Sequence, residues 1–299
     1  MLPTEELRPV FGILPNTEVQ YYLCAEDGEP YDACLVQTED GARVIKRAKG
    51  HEASIYRTLL CSCPGVPKLY GSTQIGKDTY LCLECVPGSA AMHLDRDALT
   101  KILDALIDMQ DKYWQADAPA DLTYTFEVAL ASRKRRGDYL CDAEIERAYA
   151  TYLDLFCTLP RTLCHDDLLP FNALVSDQGA ALIDWEVAGM LPYPTPLARL
   201  LAHTEDAPDA FFFATEADKA FAARYYYDRL PAKHGIPFAD FARALRYFTL
   251  YEYSEWIMLG NKYGNTDTPR FANYLSLARH LLPTLDKSDL EVTHHEPKL

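Results

Sequence analysis

The sequence lacks an excess of positive charge. It has 29 lysine and arginine residues against 44 aspartate and glutamate residues, which gives a formal net charge of −15. A protein that binds nucleic acid through a broad basic surface needs clustered lysine and arginine, so we expect no nucleic-acid partner. The acidity would suit a cationic ligand, but an ordinary solvated surface explains it equally well and is the interpretation we favour.

Long hydrophobic runs are also missing. No apolar run approaches the roughly 18 residues needed for a transmembrane helix. Residues 1–12 lack the basic start and apolar core of a secretory signal. We therefore expect a cytoplasmic protein without membrane contact. Because 48% of the 299 residues are hydrophobic, the chain can bury a large core, which argues against a disordered or fibrous protein.

Cysteine and histidine patterns typical of metal or disulfide scaffolds are absent. The nine cysteines are an odd number without dense spacing, so we expect them to be reduced. Cys82 and Cys85 form a C-x-x-C pair and Cys61 and Cys63 form a C-x-C pair, but no histidine pair at ligand spacing accompanies them. The sequence therefore does not predict a zinc site, and it leaves the oligomeric state open.

Two kinds of hydrophobic pattern divide the chain at residue 86. In residues 1–86, short stretches rich in β-branched and aromatic residues alternate with turn signals, which predicts an antiparallel sheet with one helix. In residues 87–299, apolar residues recur at intervals of three and four, which predicts mainly helices. We expect an α+β protein with two domains, 1–86 and 87–299. The predicted strands are 19–23, 32–37, 42–47, 65–74 and 78–86, and the predicted helices are 51–60, 99–114, 143–156 and several over 195–283, with 238–260 the longest.

Two polar features interrupt the helical half. The basic run 132–138 is expected to be a solvated turn or helix end. Residues 172–185 are expected to form a hairpin whose turn is the segment SDQG.

The segment before this hairpin carries the candidate chemistry. His165, Asp167 and Asn172 have the H-x-D-x-x-x-x-N spacing of a kinase catalytic loop, and Asp184 follows at the end of the hairpin. Phosphoryl transfer requires a group that orients the acceptor hydroxyl and oxygen ligands for Mg²⁺. Asp167 would accept the hydroxyl proton, Asn172 and Asp184 would bind the metal ion, and His165 would brace the loop. Turn-forming Asp and Asn residues leading into an ordinary hairpin would also explain the pattern.

Three further features in the expected order favour the kinase interpretation. Lys46 lies on the third predicted strand and Glu52 opens the next helix, so the two can form an ion pair that holds the ammonium against nucleotide phosphates. Residues 80–88 form an apolar strand running into a linker, where the backbone of Glu84, Cys85 and Val86 would bind adenine. The third feature is the DWE segment that begins at Asp184, at the end of the hairpin.

Through these residues the chain resembles the aminoglycoside phosphotransferase and choline kinase family, small-molecule relatives of protein kinases. The segments CHDDLLPFN and LIDWEVAG are the most specific, and VIK, HEASIYRTL and YLCLECVPG support them. The resemblance spans about residue 20 to about residue 280. It implies a bilobal protein-kinase-like fold, with an N-terminal β lobe and a larger helical lobe that carries the catalytic-loop hairpin.

The resemblance also implies the chemistry of the site. ATP or GTP would be the phosphate donor, Mg²⁺ the metal ion, and a small-molecule hydroxyl the acceptor. By motif position, Asp167 matches the catalytic aspartate, and Asn172 and Asp184 match the metal ligands. Lys46 and Glu52 match the phosphate-positioning pair.

The chain departs from the family pattern at three places. Asp166 stands where many members have glycine, the first hairpin (residues 24–33) has a single glycine, Gly28, and Met109-Gln110 replaces a common Leu-His pair. None of these changes removes a catalytic group.

Acceptor-binding residues are expected in and after the hairpin. The candidates are Glu186, Glu252, Glu255 and Trp256. Carboxylates beside aromatic faces attract ammonium groups, which favours a cationic amino alcohol or an aminoglycoside. Packing between helices would also explain these aromatic residues.

Other functions remain open at this point. A catalytically silent kinase-fold binding protein would keep the polar loop without turnover, although Lys46, Asp167, Asn172 and Asp184 are all present. A metal-dependent hydrolase is disfavoured because the histidines lack paired ligand spacing. Choline, antibiotic, sugar and homoserine kinases cannot be separated, since the catalytic motifs describe phosphate chemistry and not the acceptor.

Overall fold

The computed structural model of the protein describes residues 2–23, 28–120, 122–207 and 209–287. Five antiparallel strands form one sheet near the N-terminus, in the order β1-β2-β3-β5-β4. Along the chain, the elements of this part are α1 (Thr4–Phe11), β1 (Gln20–Leu23), β2 (Pro30–Thr38), β3 (Gly41–Arg47), α2 (Glu52–Thr58), β4 (Leu69–Ile75) and β5 (Asp78–Glu84).

Alternation along the strands determines which helix each side chain faces. Ile45 and Cys82 are buried with Leu7 of α1 in one cluster. Their strand neighbours point to the opposite face, because successive side chains of a strand alternate. Leu81 accordingly belongs to the larger core that includes α2, and Lys46 lies opposite Leu81 in the sheet register. The alternation thus directs Lys46 toward α2.

The rest of the chain is mainly helical. Its elements are β6 (Ser89–Ala90), α3 (Arg96–Lys112), α4 (Phe126–Gly137), α5 (Ala143–Thr158), β7 (Arg161–Cys164), β8 (Ala173–Ser176), β9 (Gly179–Leu182), β10 (Gly189–Pro192), α6 (Thr195–Ala202), α7 (Glu216–Arg229), α8 (Phe238–Tyr263) and α9 (Pro269–Leu281). Several helices are preceded by a residue whose side chain accepts a backbone N–H of the first turn. This bond satisfies a donor that would otherwise lack a partner within the helix. These N-cap residues are Asp95, Thr125, Asp142, Thr215 and Thr268.

Short strands hold the candidate catalytic segment between the helices. β7 pairs with β10, and β8 pairs with both β6 and β9. The segment 165–172 connects β7 to β8, and Asp184 follows β9. Apolar residues of α3, α5 and α8 form much of the core behind these strands. None of the helices in the described ranges is both long and apolar enough to cross a lipid bilayer.

Most predicted elements are present with small shifts at their ends, and the predicted α+β class is confirmed. The strand predicted over 65–74 begins only at Leu69, because Gly65 has a φ of +70° and Pro67 has no N–H to donate to a sheet. Close packing adds a further constraint, since a Cβ at Gly65 would lie 2.5 Å from the Cβ of Ala105. Helix α1 was not indicated by the sequence pattern.

The basic run 132–138 was expected to be a solvated turn or helix end, and it does form the end of α4, with Lys134, Arg135 and Arg136 exposed. Arg133 departs from this expectation, because its side chain is only 2% exposed. A buried acidic partner, described below, explains how the guanidinium can leave water. Part of the first hairpin, residues 24–27, lies outside the described residues.

Candidate active site

Lys46 joins the sheet to the segment that follows the β8–β9 hairpin. Its ammonium donates to Glu52 Oε1 at 2.8 Å and also contacts Asp184 Oδ1. The Lys46 side chain is 15% exposed and that of Glu52 is fully buried. Burial opposes the charge of Lys46, but the two carboxylates outweigh it and raise the lysine pKa. The structure therefore brings together three predicted residues from three separate elements.

Asp184 adopts an unusual backbone conformation. Its φ is +66°, in the left-handed region that non-glycine residues rarely occupy. The neighbouring Ile183 amide donates to the Asn172 carbonyl at 2.9 Å, which ties this segment to the end of the catalytic loop. Strained conformations of this kind are held in place by surrounding structure and occur often at functional sites.

His165 is completely buried and braces the loop on two sides. Its Nε2 donates to the Ile183 carbonyl at 2.7 Å, so Nδ1 can accept the Asp167 backbone N–H at 3.3 Å. Its ring also packs on Trp185, with centroids 4.6 Å apart. Burial lowers the pKa of His165, which favours this neutral tautomer. The side chain is positioned as a support for the loop.

Asn172 contacts the same loop through its amide nitrogen. Nδ2 donates to the Asp167 backbone carbonyl at 2.8 Å, and the residue is 3% exposed. Because the nitrogen is committed to this bond, the amide orientation is fixed and Oδ1 faces away from the Asp167 carbonyl. An amide oxygen of this kind and the carboxylate of Asp184 are oxygen donors suited to Mg²⁺.

The Asp167 carboxylate is paired with Arg199 of α6. Arg199 donates to Asp167 Oδ1 from Nη2 at 2.7 Å and from Nε at 3.1 Å. The Asp167 side chain remains 32% exposed. Burial raises the pKa of Asp167, and the guanidinium opposes this rise. The candidate proton acceptor is therefore held by an arginine and still open at one side.

The adjacent Asp166 forms a buried ion pair. Arg133 Nη2 donates to Asp166 Oδ1 at 2.6 Å, and the Tyr124 hydroxyl donates to Asp166 Oδ2. Arg133 Nε donates to the Tyr152 hydroxyl at 2.8 Å. Asp166 thus anchors this loop to α4.

The predicted adenine-binding residues follow β5. Glu84, Cys85 and Val86 are all partly exposed. The Glu84 N–H donates to the Lys68 carbonyl at 2.8 Å, so it is committed to the sheet. Among the backbone donors predicted here, the N–H groups of Cys85 and Val86 therefore remain as candidates for a nucleobase.

Three of the four predicted acceptor-binding residues lie on α8, and the fourth, Glu186, lies apart from them. Glu252 and Glu255 of α8 meet Arg199, with Glu252 Oε2 at 2.8 Å and Glu255 Oε2 at 3.2 Å from its Nη1. Arg199 therefore connects both carboxylates to Asp167. Trp256 stacks on Tyr274 of α9 with centroids 5.7 Å apart.

Glu186 lies two residues after Asp184 and faces Lys49 of the N-terminal part of the chain. Its Oε2 is 3.3 Å from Lys49 Nζ, close enough for an ion pair but not aligned for a hydrogen bond among the described residues. The structure does not bring Glu186 into contact with Arg199 and its partners Glu252 and Glu255.

Sequence reasoning missed the arginines of this site. Arg199 stands alone in the apolar helix segment TPLARLLA, and Arg133 is hidden in a basic run. A single arginine within an apolar helical pattern is itself a signal, because arginine is seldom buried unless it is paired. The pattern does not identify the partner.

The chain is similar to a known protein family in sequence and to solved structures in fold. The model of the APH family, described as a phosphotransferase enzyme family, matches residues 27–232. A search of curated proteins found no match to the sequence.

Solved structures share the fold at low sequence identity. A choline/ethanolamine kinase family protein from Mesorhizobium loti has a TM-score of 0.63 and 16% identity, with 95% of this chain and 99% of that chain covered. An aminoglycoside-3'-phosphotransferase of type VIII has a TM-score of 0.57 and 19% identity, with 83% and 97% covered. An amicoumacin kinase in complex with AMP-PNP, Ca²⁺ and Ami has a TM-score of 0.61 and 11% identity, with 96% and 93% covered. These similarities confirm the predicted kinase-like fold.

Proposed function

Because the chain belongs to the phosphotransferase enzyme family, as its sequence motifs predicted, we propose that it transfers the γ-phosphate of ATP or GTP to a hydroxyl group of a small molecule. The observation that carries the proposal is the contact of Lys46 with both Glu52 and Asp184. It connects the sheet, where a nucleotide would bind, to the segment beside the catalytic loop. Kinases use such a lysine to hold donor phosphates.

The two halves of the chain would have different tasks. Residues 1–86 would bind the nucleotide, with Lys46 on the phosphates and the backbone at Glu84, Cys85 and Val86 on the base. Residues 87–299 would hold the catalytic groups and the acceptor. The Glu84 contribution would come from its carbonyl, because its N–H is used within the sheet.

Asn172 and Asp184 would hold Mg²⁺. The Asn172 amide nitrogen is fixed on the Asp167 carbonyl, which leaves its oxygen as the metal-facing atom. Asp184 offers a carboxylate in a conformation fixed by the surrounding structure. When bound, Mg²⁺ neutralises charge on the donor phosphates.

Asp167 would orient the acceptor hydroxyl and take its proton. The hydroxyl oxygen forms a bond to the γ-phosphorus as the bond from that phosphorus to the bridging oxygen breaks. The electron pair of the broken bond remains on the nucleoside diphosphate, and the acceptor proton moves to Asp167. His165, buried and neutral, would keep the loop in position without entering the step.

The proposed donor is an intracellular nucleotide, and we accordingly propose a cytoplasmic protein. The eight cysteines within the described residues are free. Free thiols are typical of a reducing compartment.

A thermal-shift screen with ATP or GTP, each with and without Mg²⁺, tests the proposed function. A ligand that binds only the folded protein raises the melting temperature by mass action. We expect a larger rise with Mg²⁺ than without it in the wild type, and no difference in Asp184→Asn. A second stage measures nucleoside diphosphate release with a panel of alcohols and sugars. Turnover would exclude a silent binding protein, whereas a wild type that binds no nucleotide would refute the proposal.

A further inference from the structure

The acidic residues expected to bind a cationic acceptor lie behind arginines. The Glu252 side chain is 3% exposed, whereas its partner Arg199 is 16% exposed. The Glu255 side chain is 18% exposed, whereas its partner Arg136 is 48% exposed. In each of these two pairs the arginine side chain is the more exposed partner. A molecule that approaches Asp167 from solvent would therefore meet the Arg136 side chain before it meets Glu252.

The two arginines are neighbours. Glu255 bridges them, since its Oε2 accepts from Arg199 Nη1 at 3.2 Å and its Oε1 contacts Arg136 Nη1. The Tyr251 hydroxyl donates to Glu255 Oε1 at 2.7 Å, which fixes the bridging carboxylate. Two adjacent guanidinium groups thus stand beside the catalytic loop in a fixed arrangement.

Glu252 is held from more than one side. Its Oε2 lies 2.8 Å from Arg199 Nη1 and 3.2 Å from His203 Nε2. Burial opposes the charge of Glu252, but Arg199 outweighs it and the net effect lowers the pKa of this carboxyl. The carboxylate and the guanidinium are therefore both charged and mutually satisfied.

The chemistry of this arrangement discriminates between acceptor charges. An ammonium ligand would have to displace Arg199 from a buried carboxylate, and an uncompensated buried charge is strongly unfavourable. Arg199 has no pair of donors left for such a ligand, because Asp167 accepts from its Nε and Nη2 and the two α8 carboxylates accept from its Nη1. Arg136 is 48% exposed and contacts Glu255 through Nη1, so a carboxylate or phosphate could bind its Nε and Nη2 through two parallel hydrogen bonds. Because the whole chain carries a formal charge of −15, these local arginines would be needed to attract an anion.

We propose that the acceptor is an anionic hydroxy compound whose carboxylate or phosphate group binds Arg136, with Arg199 beside it. The proposal rests on the proposed function, in which the same acceptor presents its hydroxyl to Asp167. Glu255 bridges Arg136 to Arg199, and Arg199 donates to Asp167, so the anionic group would bind on the far side of Arg199 from the hydroxyl. The phosphoryl-transfer step itself is unchanged: the acceptor oxygen gains the phosphoryl group and Asp167 takes the proton.

Two matched series of compounds test this proposal on the intact protein. The first is glycerol, glycerate, glycerol phosphate and aminopropanediol. The second is glucose, glucuronate, glucose phosphate and glucosamine, with choline and kanamycin as additional cations. Each series offers neutral, carboxylate, phosphate and ammonium members on one skeleton. The melting temperature is measured with Mg²⁺ and AMP-PNP present, and nucleoside diphosphate release is then measured with ATP.

We expect anionic members to stabilise the wild type more than their neutral and ammonium counterparts, and to support turnover. The carboxylate and phosphate arms identify which anionic group is preferred. Arg136→Gln should weaken this binding about tenfold or more, since it removes a charge-assisted contact. Arg224→Gln is the matched control, because Arg224 is an exposed arginine paired with Asp228 on α7 at 2.9 Å. This control should bind like the wild type.

Opposite results would overturn the proposal. These are binding of ammonium compounds that is lost in Glu252→Gln, or a panel in which no anionic member stabilises the protein more than its neutral counterpart. The proposed function fails separately, if the wild type binds no nucleotide. Should Arg136→Gln not fold because Glu255 loses one of its partners, the double variant Arg136→Gln/Glu255→Gln removes both charges. The double variant should then fold, as judged by circular dichroism, and should lack the anion preference.

Discussion

The Lys46 ammonium of β3 contacts the carboxylate of Asp184, which lies 138 positions later in the sequence. This contact is direct and involves a lysine that also bonds to the buried Glu52. A strand residue, a helix residue and a residue after a hairpin therefore share one ionic cluster. The arrangement suits the proposed phosphoryl transfer, because it fixes a cation beside a carboxylate that could bind a metal ion.

Glu52→Gln should weaken nucleotide binding. Glu52 holds Lys46 through a charge-assisted bond at 2.8 Å, and its loss leaves the lysine less firmly positioned. We expect the dissociation constant for ATP with Mg²⁺ to rise about tenfold in isothermal titration calorimetry, a change equivalent to roughly 1.4 kcal/mol. Asp97→Asn removes an exposed ion pair with Lys101 and serves as the control. Equal affinities for Glu52→Gln and wild type would exclude the role given to Glu52.

Asp167→Asn should reduce turnover while leaving nucleotide binding intact. The amide keeps the shape of the side chain but cannot accept the acceptor proton, so we expect kcat to fall by roughly a hundredfold or more. Nucleoside diphosphate release measures turnover, and calorimetry measures binding. The role of Asp167 is refuted if the variant retains more than a few per cent of wild-type turnover.

The Asp166–Arg133 pair predicts a double-mutant effect on stability. Either Asp166→Asn or Arg133→Met leaves one buried charge without its partner, which should cost about 3–5 kcal/mol in the free energy of unfolding. The double variant removes both charges, so its cost should be smaller than the sum of the two single changes. Urea unfolding measures all three variants. Additive costs would show that the two side chains do not depend on each other.

Asp142 predicts a stability change at acid pH. It caps α5 by accepting the backbone N–H groups of Glu144 and Ile145, and it pairs with Arg279 of α9 at 2.9 Å. The Arg279 contact and the backbone bonds hold its pKa below the ordinary value of 3.8. A depressed folded-state pKa means that the stabilisation is present at neutral pH and is lost as pH falls below about 4.

The variants Asp142→Ala and Asp142→Asn separate the cap from the charge. Asp142→Ala should lose about 1 kcal/mol of stability at pH 7, because it removes an N-cap. Asp142→Asn keeps a capping oxygen and should lose less. Unfolding measured from pH 7 down to pH 3 should show the difference between wild type and Asp142→Ala diminishing. A difference in the free energy of unfolding that is as large at pH 3 as at pH 7 would contradict this assignment.

Local sequence patterns predicted the fold well because each pattern reflects a local physical cause. Stretches rich in β-branched and aromatic residues predicted the strands around Lys46. The repeat of three and four predicted α8, which is followed by Gly264 with a φ of +70°. The spacing from His165 to Asn172 predicted the loop because these residues act through one short backbone segment. Turn residues indicated the hairpin for the same reason.

Contacts between distant segments could not be predicted in the same way. Arg199 meets Asp167 and Glu252 only because α6 and α8 pack beside the loop, and no local pattern specifies that packing. The sequence therefore suggested free carboxylates at Glu252 and Glu255, whereas the structure supplies an arginine to both. The same limit concealed the partner of Asp166, which is 33 positions away on α4.

The most direct test of the account is calorimetric titration of ATP, with and without Mg²⁺, into wild type and Asp184→Asn. The central claim is that Lys46 and Asp184 meet at a metal-dependent nucleotide site. It predicts that Mg²⁺ strengthens binding to the wild type and that Asp184→Asn loses this dependence while remaining folded. Nucleotide binding with the same dependence on Mg²⁺ in both proteins would contradict the claim.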